Sequence, residues 1–397
     1  MPKMYDVAIV GAGPAGVSTA LFLIHRRPEL AGRIIVLEKA TFPRDKFCGG
    51  AMGARADAWL SEIGVHVDVP SVMIDGISLA LTGGTVQRRM GRIGRVVRRM
   101  EFDHALVRVL IARGVQLIEG ARVTALTPGT DAVHLDTSAG AFLAKAVVGA
   151  DGVGSVVRRS LGLPFGDLLA QVAEVDTEPV PGDPPRDVLH FDASNRSLVG
   201  YSWDFPTLVD GKALVCRGVY VLGIGRMPGA DATQLLAERL EERGLHLSDY
   251  RVKRFSERGF EVHRPFAAHR ILLVGEAAGI DPLVGEGIGQ AIEYGKLAGD
   301  YLAARLGGRE LRFDDWTKHV ALSALGLHLS ARGVLVSGFY GRPRPTVERL
   351  LLTVPGVTQL LMSLFAGRSI TLGTLARVAG ESGLRLAGQV RGALARR

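Results

Sequence analysis

Residues 5–38 decide how this chain folds, and they read YDVAIVGAGPAGVSTALFLIHRRPELAGRIIVLE. The run at 5–10 is short, apolar and β-branched, which is typical of a buried strand. A glycine-rich turn follows at 11–16, and the pattern over 15–26 predicts a helix. A second strand pattern at 33–38 ends in an acid. The order strand, turn, helix, strand and acid is the context in which a glycine-rich motif binds a dinucleotide.

The residue types in this turn suit a pyrophosphate. Gly11 and Gly13 allow a tight turn and a close approach of backbone to phosphate, and Gly16 lets the helix pack on the strand. The start of the helix offers free N–H groups and a positive dipole end. Glu38 stands 22 residues after Gly16, where its carboxylate can accept a hydrogen bond from an adenosine ribose hydroxyl. An acid there disfavours a 2′-phosphate, so the motif predicts FAD or NAD rather than NADP.

The composition is that of a soluble globular protein. The chain has 397 residues, 47% hydrophobic and 22% charged, which at roughly 150 residues per domain predicts two or three domains. The net charge of +8 comes mostly from arginine, with no dense basic run among aromatic residues, so we expect no nucleic-acid partner. Cys48 and Cys216 offer neither a disulfide framework nor zinc-site spacing. A reducing, cytoplasmic location fits this cysteine usage.

Two further motifs specify the cofactor. Residues 149–152 read GADG after a strand pattern, and residues 275–282 read GEAAGIDP after another. They resemble the second and third nucleotide motifs of the p-hydroxybenzoate-hydroxylase-like flavoproteins, although Glu276 stands where that family usually has Asp. The resemblance implies bound FAD. That family usually has no separate NAD(P)H domain, so NAD(P)H or another reductant is expected as a transient electron donor.

The resemblance also implies which residues contact FAD. Arg99, in the pattern Arg99-x-x-Phe102-Asp103, is similar to the family arginine whose guanidinium reaches the cofactor. The helix that starts near Gly287 would stabilise negative charge on the reduced flavin. The predicted cofactor contacts are Gly11, Gly13, Pro14, Ala15, Gly16, Glu38, Lys39, Arg44, Cys48, Gly49, Arg99, Asp151, Gly275, Glu276, Pro282, Gly285, Gly287 and Ile288.

One loop points to a branch of the family. Residues 42–50, FPRDKFCGG, look like the flavin-side loop of geranylgeranyl reductases, which has a basic residue, a cysteine and paired glycines. Cys48 is therefore our candidate catalytic residue, and the neighbouring Arg44 and Lys46 suggest the hypothesis of a lowered thiol pKa. The alternative is a small buried thiol.

A second segment distinguishes the branches. Residues 200–206, GYSWDFP, are similar to the Tyr-x-Trp-x-Phe-Pro element whose aromatic side chains line the substrate cavity of geranylgeranyl reductases. Tyr201, Trp203 and Phe205 are thus predicted to bind substrate. Flavin-dependent halogenases have a similar element, but they also use a lysine downstream of the flavin-side loop. No lysine lies between positions 46 and 145 here, which disfavours halogenation.

The strand and helix patterns predict an α/β protein with a discontinuous main domain. A FAD-binding, Rossmann-like domain of the glutathione-reductase type would comprise residues 1–70, 95–165 and 266–310. An antiparallel-sheet substrate domain would be inserted as residues 71–94 and 166–265, with short strands and glycine turns before residue 98. Residues 311–397 would form a helical C-terminal region.

The uncharged stretch at 350–367, LLLTVPGVTQLLMSLFAG, lies in that helical region. A spanning helix needs about 20 apolar residues, and Pro355 and Gly356 interrupt this one. Two short helices are expected instead. They would pack as an ordinary subdomain, cap an apolar tunnel, or make a peripheral membrane contact flanked by Arg342, Arg344, Arg349 and Arg368.

The sequence therefore predicts an FAD-dependent oxidoreductase that transfers hydride from flavin N5 to a carbon–carbon double bond of a small, apolar, isoprenoid-like substrate. The alternative is a monooxygenase, or less plausibly a halogenase, that modifies a secondary metabolite through a C4a-hydroperoxyflavin. Fold alone does not separate these reactions.

Overall fold

The structure is a computed structural model, and it describes residues 3–164, 166–225, 229–308, 311–368, 371, 373–374, 376–383 and 385. Its strands are β1 (Met4–Val10), β2 (Ile34–Leu37), β3 (Ala51–Gly53), β4 (Ser71–Leu81), β5 (Gly84–Val97), β6 (Gln116–Ile118), β7 (Val123–Pro128), β8 (Val133–Thr137), β9 (Gly140–Gly149), β10 (Leu168–Thr177), β11 (Val188–Asp192), β12 (Gly200–Val209), β13 (Lys212–Ile224), β14 (Lys253–Arg258), β15 (Ala267–Ala268) and β16 (Ile271–Leu273). Its helices are α1 (Pro14–Arg26), α2 (Ala54–Glu62), α3 (Arg99–Ala112), α4 (Val156–Ser160), α5 (Ala232–Glu241), α6 (Ile288–Arg305), α7 (Trp316–Leu322), α8 (Ala324–Phe339), α9 (Arg344–Thr353) and α10 (Pro355–Ala366).

The first sheet carries the glycine-rich turn. Its strand order is β15-β16-β9-β1-β2-β6, with β8 pairing β9 and β7 pairing β8. The strands β16, β9, β1, β2 and β6 run parallel, and β1 lies at the centre. Because both faces are covered, β1 and β2 are almost entirely apolar and buried.

Helices α1 and α6 pack closely on one another beside this sheet. Gly295 and Gly299 of α6 make the approach possible. A Cβ on Gly295 would lie 2.0 Å from the hydroxyl of Ser18, and one on Gly299 would lie 2.6 Å from the Cβ of Phe22. The two glycines therefore place the start of α6 beside the start of α1.

The second sheet has the order β14-β10-β13-β12-β11-β4-β5-β3. The predicted short strands before residue 98 are a wrong expectation, because β4 and β5 form one long hairpin. Gly76 lies inside β4 at a register shift, and Gly94 lies inside β5, where a Cβ would come 2.2 Å from the carbonyl oxygen of Met52. These glycines accommodate a bulge and a close neighbouring strand rather than turns. The sheet is antiparallel apart from the parallel β4–β11 pair.

The two faces of this second sheet have different coverings. Helix α5 packs on one face through buried leucines such as Leu236 and Leu240. Helices α8, α9 and α10 cover the other face and leave a space above its aromatic residues. The predicted α/β fold class is confirmed, whereas the domain boundaries stay a prediction.

The stretch at 350–367 forms the end of α9 and the whole of α10, with Pro355 at the start of the second helix. Among the described residues no single helix is long and apolar enough to cross a membrane. The pairs α7–α8 and α9–α10 meet that length and composition together, but they bend by 73° and 91°. Arg344 is not part of a basic surface, since it is buried and paired with Glu348. The peripheral membrane contact stays a prediction, and residues 386–397 of the predicted helical region lie outside the described residues.

Candidate FAD and substrate site

Four parallel strands end in one row, and each predicted nucleotide motif begins there. Val10 of β1 is in register with Leu37 of β2 and with Gly149 of β9, and Gly149 is in register with Leu273 of β16. The glycine-rich turn, Glu38 and the second and third motifs therefore leave the sheet at the same edge. Ligands of open α/β sheets bind outside this carboxyl edge.

A polar cavity of about 390 Å³ opens at this edge. Most of the predicted cofactor contacts line it, namely Gly11, Gly13, Pro14, Ala15, Glu38, Lys39, Arg44, Cys48, Arg99, Asp151, Glu276, Gly285, Gly287 and Ile288. These residues lie far apart in the sequence, and the sheet edge brings them together.

The other four predicted contacts lie outside the cavity. Gly16 is a packing position, because a Cβ there would lie 2.0 Å from a carbonyl oxygen of the glycine turn. Gly275 is also a packing position, because a Cβ there would lie 2.7 Å from the Cβ of Ala15 in the first turn of α1. Gly49 lines a neighbouring apolar cavity. Pro282 faces β13, where its carbonyl accepts a hydrogen bond from the hydroxyl of Tyr220.

The glycine turn has the geometry that a close phosphate requires. Gly11 has φ +101°, and a Cβ on it would lie 2.5 Å from the carbonyl oxygen of Ala150. A Cβ on Gly13 would meet only the guanidinium ends of Arg44 and Arg99, each at 3.9 Å. Gly13 therefore faces open cavity beside two positive charges. No side chain caps the start of α1, so its N–H groups are available to an anion.

Glu38 holds the turn in shape. It is buried, its Oε2 accepts a hydrogen bond from the Ala12 N–H at 2.8 Å, and its Oε1 accepts one from the Ala40 N–H at 3.1 Å. Its predicted contact with the adenosine ribose stays a prediction. The structure adds that this carboxylate organises the backbone on which the adenosine half would lie.

Two arginines are fixed beside the turn by one carboxylate. Arg99 makes two hydrogen bonds of 2.7 Å to Asp103 one helical turn away, and Arg44 contacts the same carboxylate at 2.9 Å. Asp103 is buried, and sequence analysis named it only as part of the Arg99 motif. Pre-oriented guanidinium groups are well suited to a pyrophosphate.

The second and third motifs supply two acids. Asp151 accepts hydrogen bonds from the Ser155 hydroxyl and from backbone N–H groups at the start of α4. Burial raises the pKa of Asp151, although these hydrogen bonds oppose the shift. Glu276, which replaces the usual Asp, accepts a hydrogen bond from Lys46 Nζ at 2.9 Å. The flavin-side loop and the third motif are thus joined by an ion pair.

An apolar cavity of about 270 Å³ lies beside the polar one, between the second sheet and helices α8–α10. Tyr201, Trp203 and Phe205 alternate along β12 and all line it, as their spacing predicts for one face of a strand. Tyr201 stacks on Tyr220 with ring centroids 5.2 Å apart and donates its hydroxyl to the Val284 carbonyl oxygen at 2.6 Å. The polar ends of these tyrosines are therefore satisfied, and the cavity wall is apolar.

The two cavities share a short stretch of wall, formed by Cys48, Phe255, Glu257, Gly285 and Gly287. The thiol of Cys48 accepts a hydrogen bond from the Gly50 N–H at 3.4 Å. The hypothesis of a lowered thiol pKa is wrong: burial raises the pKa of Cys48, and this outweighs the nearby Arg99 and Lys46. The catalytic role of Cys48 stays a prediction.

No sequence motif pointed to Phe255 or Glu257. Both lie on β14 two residues apart, so they share the face that meets the cavities. The available signal was the alternation of KRFSER, but it does not say which face is covered. The Oε2 atom of Glu257 is buried and has no hydrogen-bond partner among the described residues.

The residues present fit FAD. The glycine turn, with Arg44 and Arg99, suits the pyrophosphate, and Glu38 lies at the end of the cavity formed by β2. At the other end of the cavity, Gly287 is the N-cap residue of α6, and no side chain caps this helix. This end borders the apolar cavity.

Comparison with known proteins agrees with this geometry. The family described as "FAD binding domain" matches residues 4–185. Menaquinone reductase of Mycolicibacterium smegmatis is 29% identical over 95% of this chain and 91% of its own length. Digeranylgeranylglycerophospholipid reductase 1 of Methanopyrus kandleri is 30% identical over 75% of this chain and 80% of its own length.

A solved structure shares the whole fold. The flavoprotein/dehydrogenase from Cytophaga hutchinsonii superimposes with a TM-score of 0.72 at 17% identity, covering 98% of this chain and 100% of that one. FAD is the cofactor that this cradle and the matched FAD-binding domain specify. The chain belongs to the p-hydroxybenzoate-hydroxylase-like family of FAD-dependent oxidoreductases.

Proposed function

We propose that this protein reduces carbon–carbon double bonds of an apolar, isoprenoid-like substrate. One observation carries the proposal: an apolar cavity with an aromatic floor adjoins the cofactor cavity and shares five wall residues with it. Bound FAD, reduced by NAD(P)H or another transient donor, supplies a hydride there. The relatives named as reductases of menaquinone and of a digeranylgeranylglycerophospholipid support a reduction of this kind.

The shape of the apolar cavity suits an elongated molecule. Its wall includes residues of β14, β10, β13, β12, β11, β4 and β5, in the order of the sheet. An extended hydrocarbon chain would lie across the strands, with one end at Glu257 on β14 and the other near Val86 on β5.

The protein's own residues position the substrate and exclude water from its surface. Tyr201, Trp203 and Phe205 form the floor, and Leu361 and Phe365 of α10 form part of the cover. Burying apolar substrate surface against them contributes roughly 25 cal/mol per Å². The N-terminus of α6 would stabilise negative charge on the flavin side of the site.

The test is an anaerobic experiment with the FAD-loaded protein. The flavin is reduced chemically and then mixed rapidly with an isoprenoid alcohol of four isoprene units, and absorbance reports flavin reoxidation. We expect reoxidation by the alkene and a product heavier by two hydrogens per bond reduced. If the alkene leaves the flavin reduced, and oxygen admitted afterwards both reoxidises it and is incorporated into an added substrate, the proposal is contradicted and the monooxygenase is favoured.

A further inference from the structure

We propose that Glu257, at the junction of the two cavities, donates the proton that completes reduction of the substrate double bond. The inference deepens the proposed function and rests on it. Hydride addition to one alkene carbon leaves the neighbouring carbon in need of a proton, and a general acid within the site must supply it. No sequence motif assigned a residue to this step, since Cys48 was named only as a candidate catalytic residue.

The position of Glu257 is the first argument. It is one of five residues that line both cavities, so its carboxyl borders the flavin end and the substrate channel at once. The edge strand β14 is in register with β10, which places Ala170 opposite Glu257. The small neighbour leaves the carboxyl room to reach the junction.

The loop before α6 is shaped around this carboxyl. Gly285 has φ +64°, and a Cβ on it would lie 2.5 Å from Glu257 Oε2 and 3.2 Å from the ring of Tyr220. Any side chain at position 285 would therefore displace the acid. This is a packing reason for glycine at a place where the cofactor cavity and the substrate cavity meet.

The surroundings of Glu257 favour the neutral acid. The residue is half-buried, but its Oε2 atom is buried and has no hydrogen-bond partner among the described residues. A charged oxygen that is buried without a partner is costly. Burial is the largest cause of a pKa far above the usual value for Glu257, and Glu276 adds to it, whereas Lys46 opposes it. The other titratable groups that act on this carboxyl are Asp281, Glu174, Tyr201 and Tyr220, from the third-motif loop, β10, β12 and β13.

The step balances in atoms and electrons. The alkene receives a hydride, which carries two electrons, from bound reduced FAD, and one carbon forms a new C–H bond. The O–H bond of Glu257 breaks, and its proton forms the second C–H bond on the neighbouring carbon. The product gains two hydrogens, the cofactor is oxidised, and the Glu257 carboxylate regains its proton from solvent.

The test compares Glu257→Gln with the matched control Glu101→Gln. Glu101 on α3 also has a buried oxygen without a hydrogen-bond partner and a pKa raised by burial, but it lines neither cavity. Both variants are expected to bind FAD and to accept electrons from dithionite like the parent protein. Reoxidation of reduced Glu257→Gln by the isoprenoid alcohol should be at least about 100-fold slower, and that of Glu101→Gln unchanged.

Two further readouts separate proton donation from a structural role. In the parent protein, the rate at which the alkene reoxidises the flavin should fall as pH rises through the pKa of Glu257. This pH dependence should be absent in Glu257→Gln. Infrared difference spectra of the apoprotein at neutral pH should show a protonated-carboxyl band that Glu257→Gln lacks.

The outcomes are distinguishable. Parent protein that no alkene reoxidises would overturn the proposed function and this inference with it. Parent protein that is active, with an equally active Glu257→Gln, would overturn the inference alone. If the fall in rate with rising pH persists in Glu257→Gln but disappears in Cys48→Ser, the thiol of Cys48 is the proton donor, and the inference about Glu257 is overturned.

Discussion

Gly13 and Gly16 belong to one motif, but they have different structural roles. A Cβ on Gly13 would enter the open cofactor cavity, because its nearest neighbours are two guanidinium groups at 3.9 Å. A Cβ on Gly16 would lie 2.0 Å from a backbone oxygen inside the protein. The first glycine leaves space for the ligand and the second leaves space for the fold.

This difference predicts opposite effects of two alanine substitutions. Gly13→Ala should leave the melting temperature of the apoprotein unchanged and weaken FAD binding at least about tenfold, since a methyl group occupies phosphate space. Gly16→Ala should instead destabilise the apoprotein by roughly 1–3 kcal/mol through overpacking. Thermal unfolding and fluorescence titration with FAD measure the two effects. Equal loss of stability in both variants would contradict the assignment.

Glu38 is a residue whose role the structure extends. Two backbone N–H groups depend on its carboxylate, and hydrogen bonds to a charged acceptor contribute roughly 1.5–3 kcal/mol each. We expect Glu38→Ala to weaken FAD binding by at least about tenfold, as measured by titration of the apoprotein. Glu29→Ala, which removes an exposed acid from the connection between α1 and β2, is the control and should bind FAD normally.

Among the secondary-structure elements, the alternation of residues correctly predicted one shared face on β12. It did not predict the long strands of the β4–β5 hairpin. On β12 three aromatic residues at every second position share one face, and large side chains make that pattern visible. In the hairpin, glycines inside the strands look like turns in the sequence. Their actual role is to admit neighbouring backbone, as at Gly94, and this depends on contacts with β3 and α10.

The pairing of β12 with β13 predicts how to change the substrate cavity. Gly218 of β13 lies opposite Trp203, and a Cβ on it would come 2.1 Å from the indole. Gly218→Ala should therefore push the indole into the cavity and raise the KM for the alkene, without changing flavin reduction. Steady-state and rapid-mixing kinetics test this. Adding Trp203→Phe in the same chain should restore binding, and failure of that rescue would argue against the displacement.

At the scale of the whole molecule, residues from all eight strands of the second sheet and from helices α8, α9 and α10 line the apolar cavity. It extends from the flavin end at β14 to Val86 on β5. A substrate that fills this path should be sensitive to obstruction at the far end, whereas a short one should not.

Substitution at the far end therefore discriminates substrates by length. We expect Val86→Phe to raise the KM of a four-unit isoprenoid about tenfold or more and to leave that of a one-unit analogue unchanged. Thr85→Phe on the same strand is the control, because Thr85 is exposed and lines neither cavity. Equal effects on long and short substrates would contradict a channel that crosses the sheet.

Buried acids also make the stability of the whole molecule depend on pH. Burial raises the pKa of Glu174 to about 7 from a usual 4.5, and Lys253 only partly opposes this. The folded state then binds more protons than the unfolded state between these values, so this contribution to stability is complete below pH 4.5 and is lost as pH rises through 7. Its slope is at most about 1.4 kcal/mol per pH unit.

The apoprotein variant Glu174→Gln isolates this effect. The free energy of unfolding of the parent should decline more steeply from pH 5 to 7 than that of Glu174→Gln, as measured in denaturant at several pH values. Glu241→Gln, on the exposed side of α5, is the control and should keep the parent slope. Parallel curves for the parent and Glu174→Gln would contradict the raised pKa.

The α/β class and the FAD cofactor follow from patterns in the sequence, which also predict the residues of the phosphate cradle. These depend on short-range spacing: the turn at 11–16, the acid at the end of β2 and the motifs after β9 and β16 each lie within a few consecutive residues. Parallel strands bring their carboxyl ends to one edge, so local motifs predict a common site.

The composition of the wall between the two cavities depends on contacts between residues that are far apart in the sequence. The shared wall combines Cys48 from an early loop, Glu257 from an edge strand and Gly285 from the loop before α6. Burial raises the pKa of the Cys48 thiol, where the sequence had suggested a lowered one. Burial also raises the pKa of Glu257, whose Oε2 has no hydrogen-bond partner among the described residues. Such shifts arise from the sum of long-range neighbours and excluded water, which no spacing along the chain encodes.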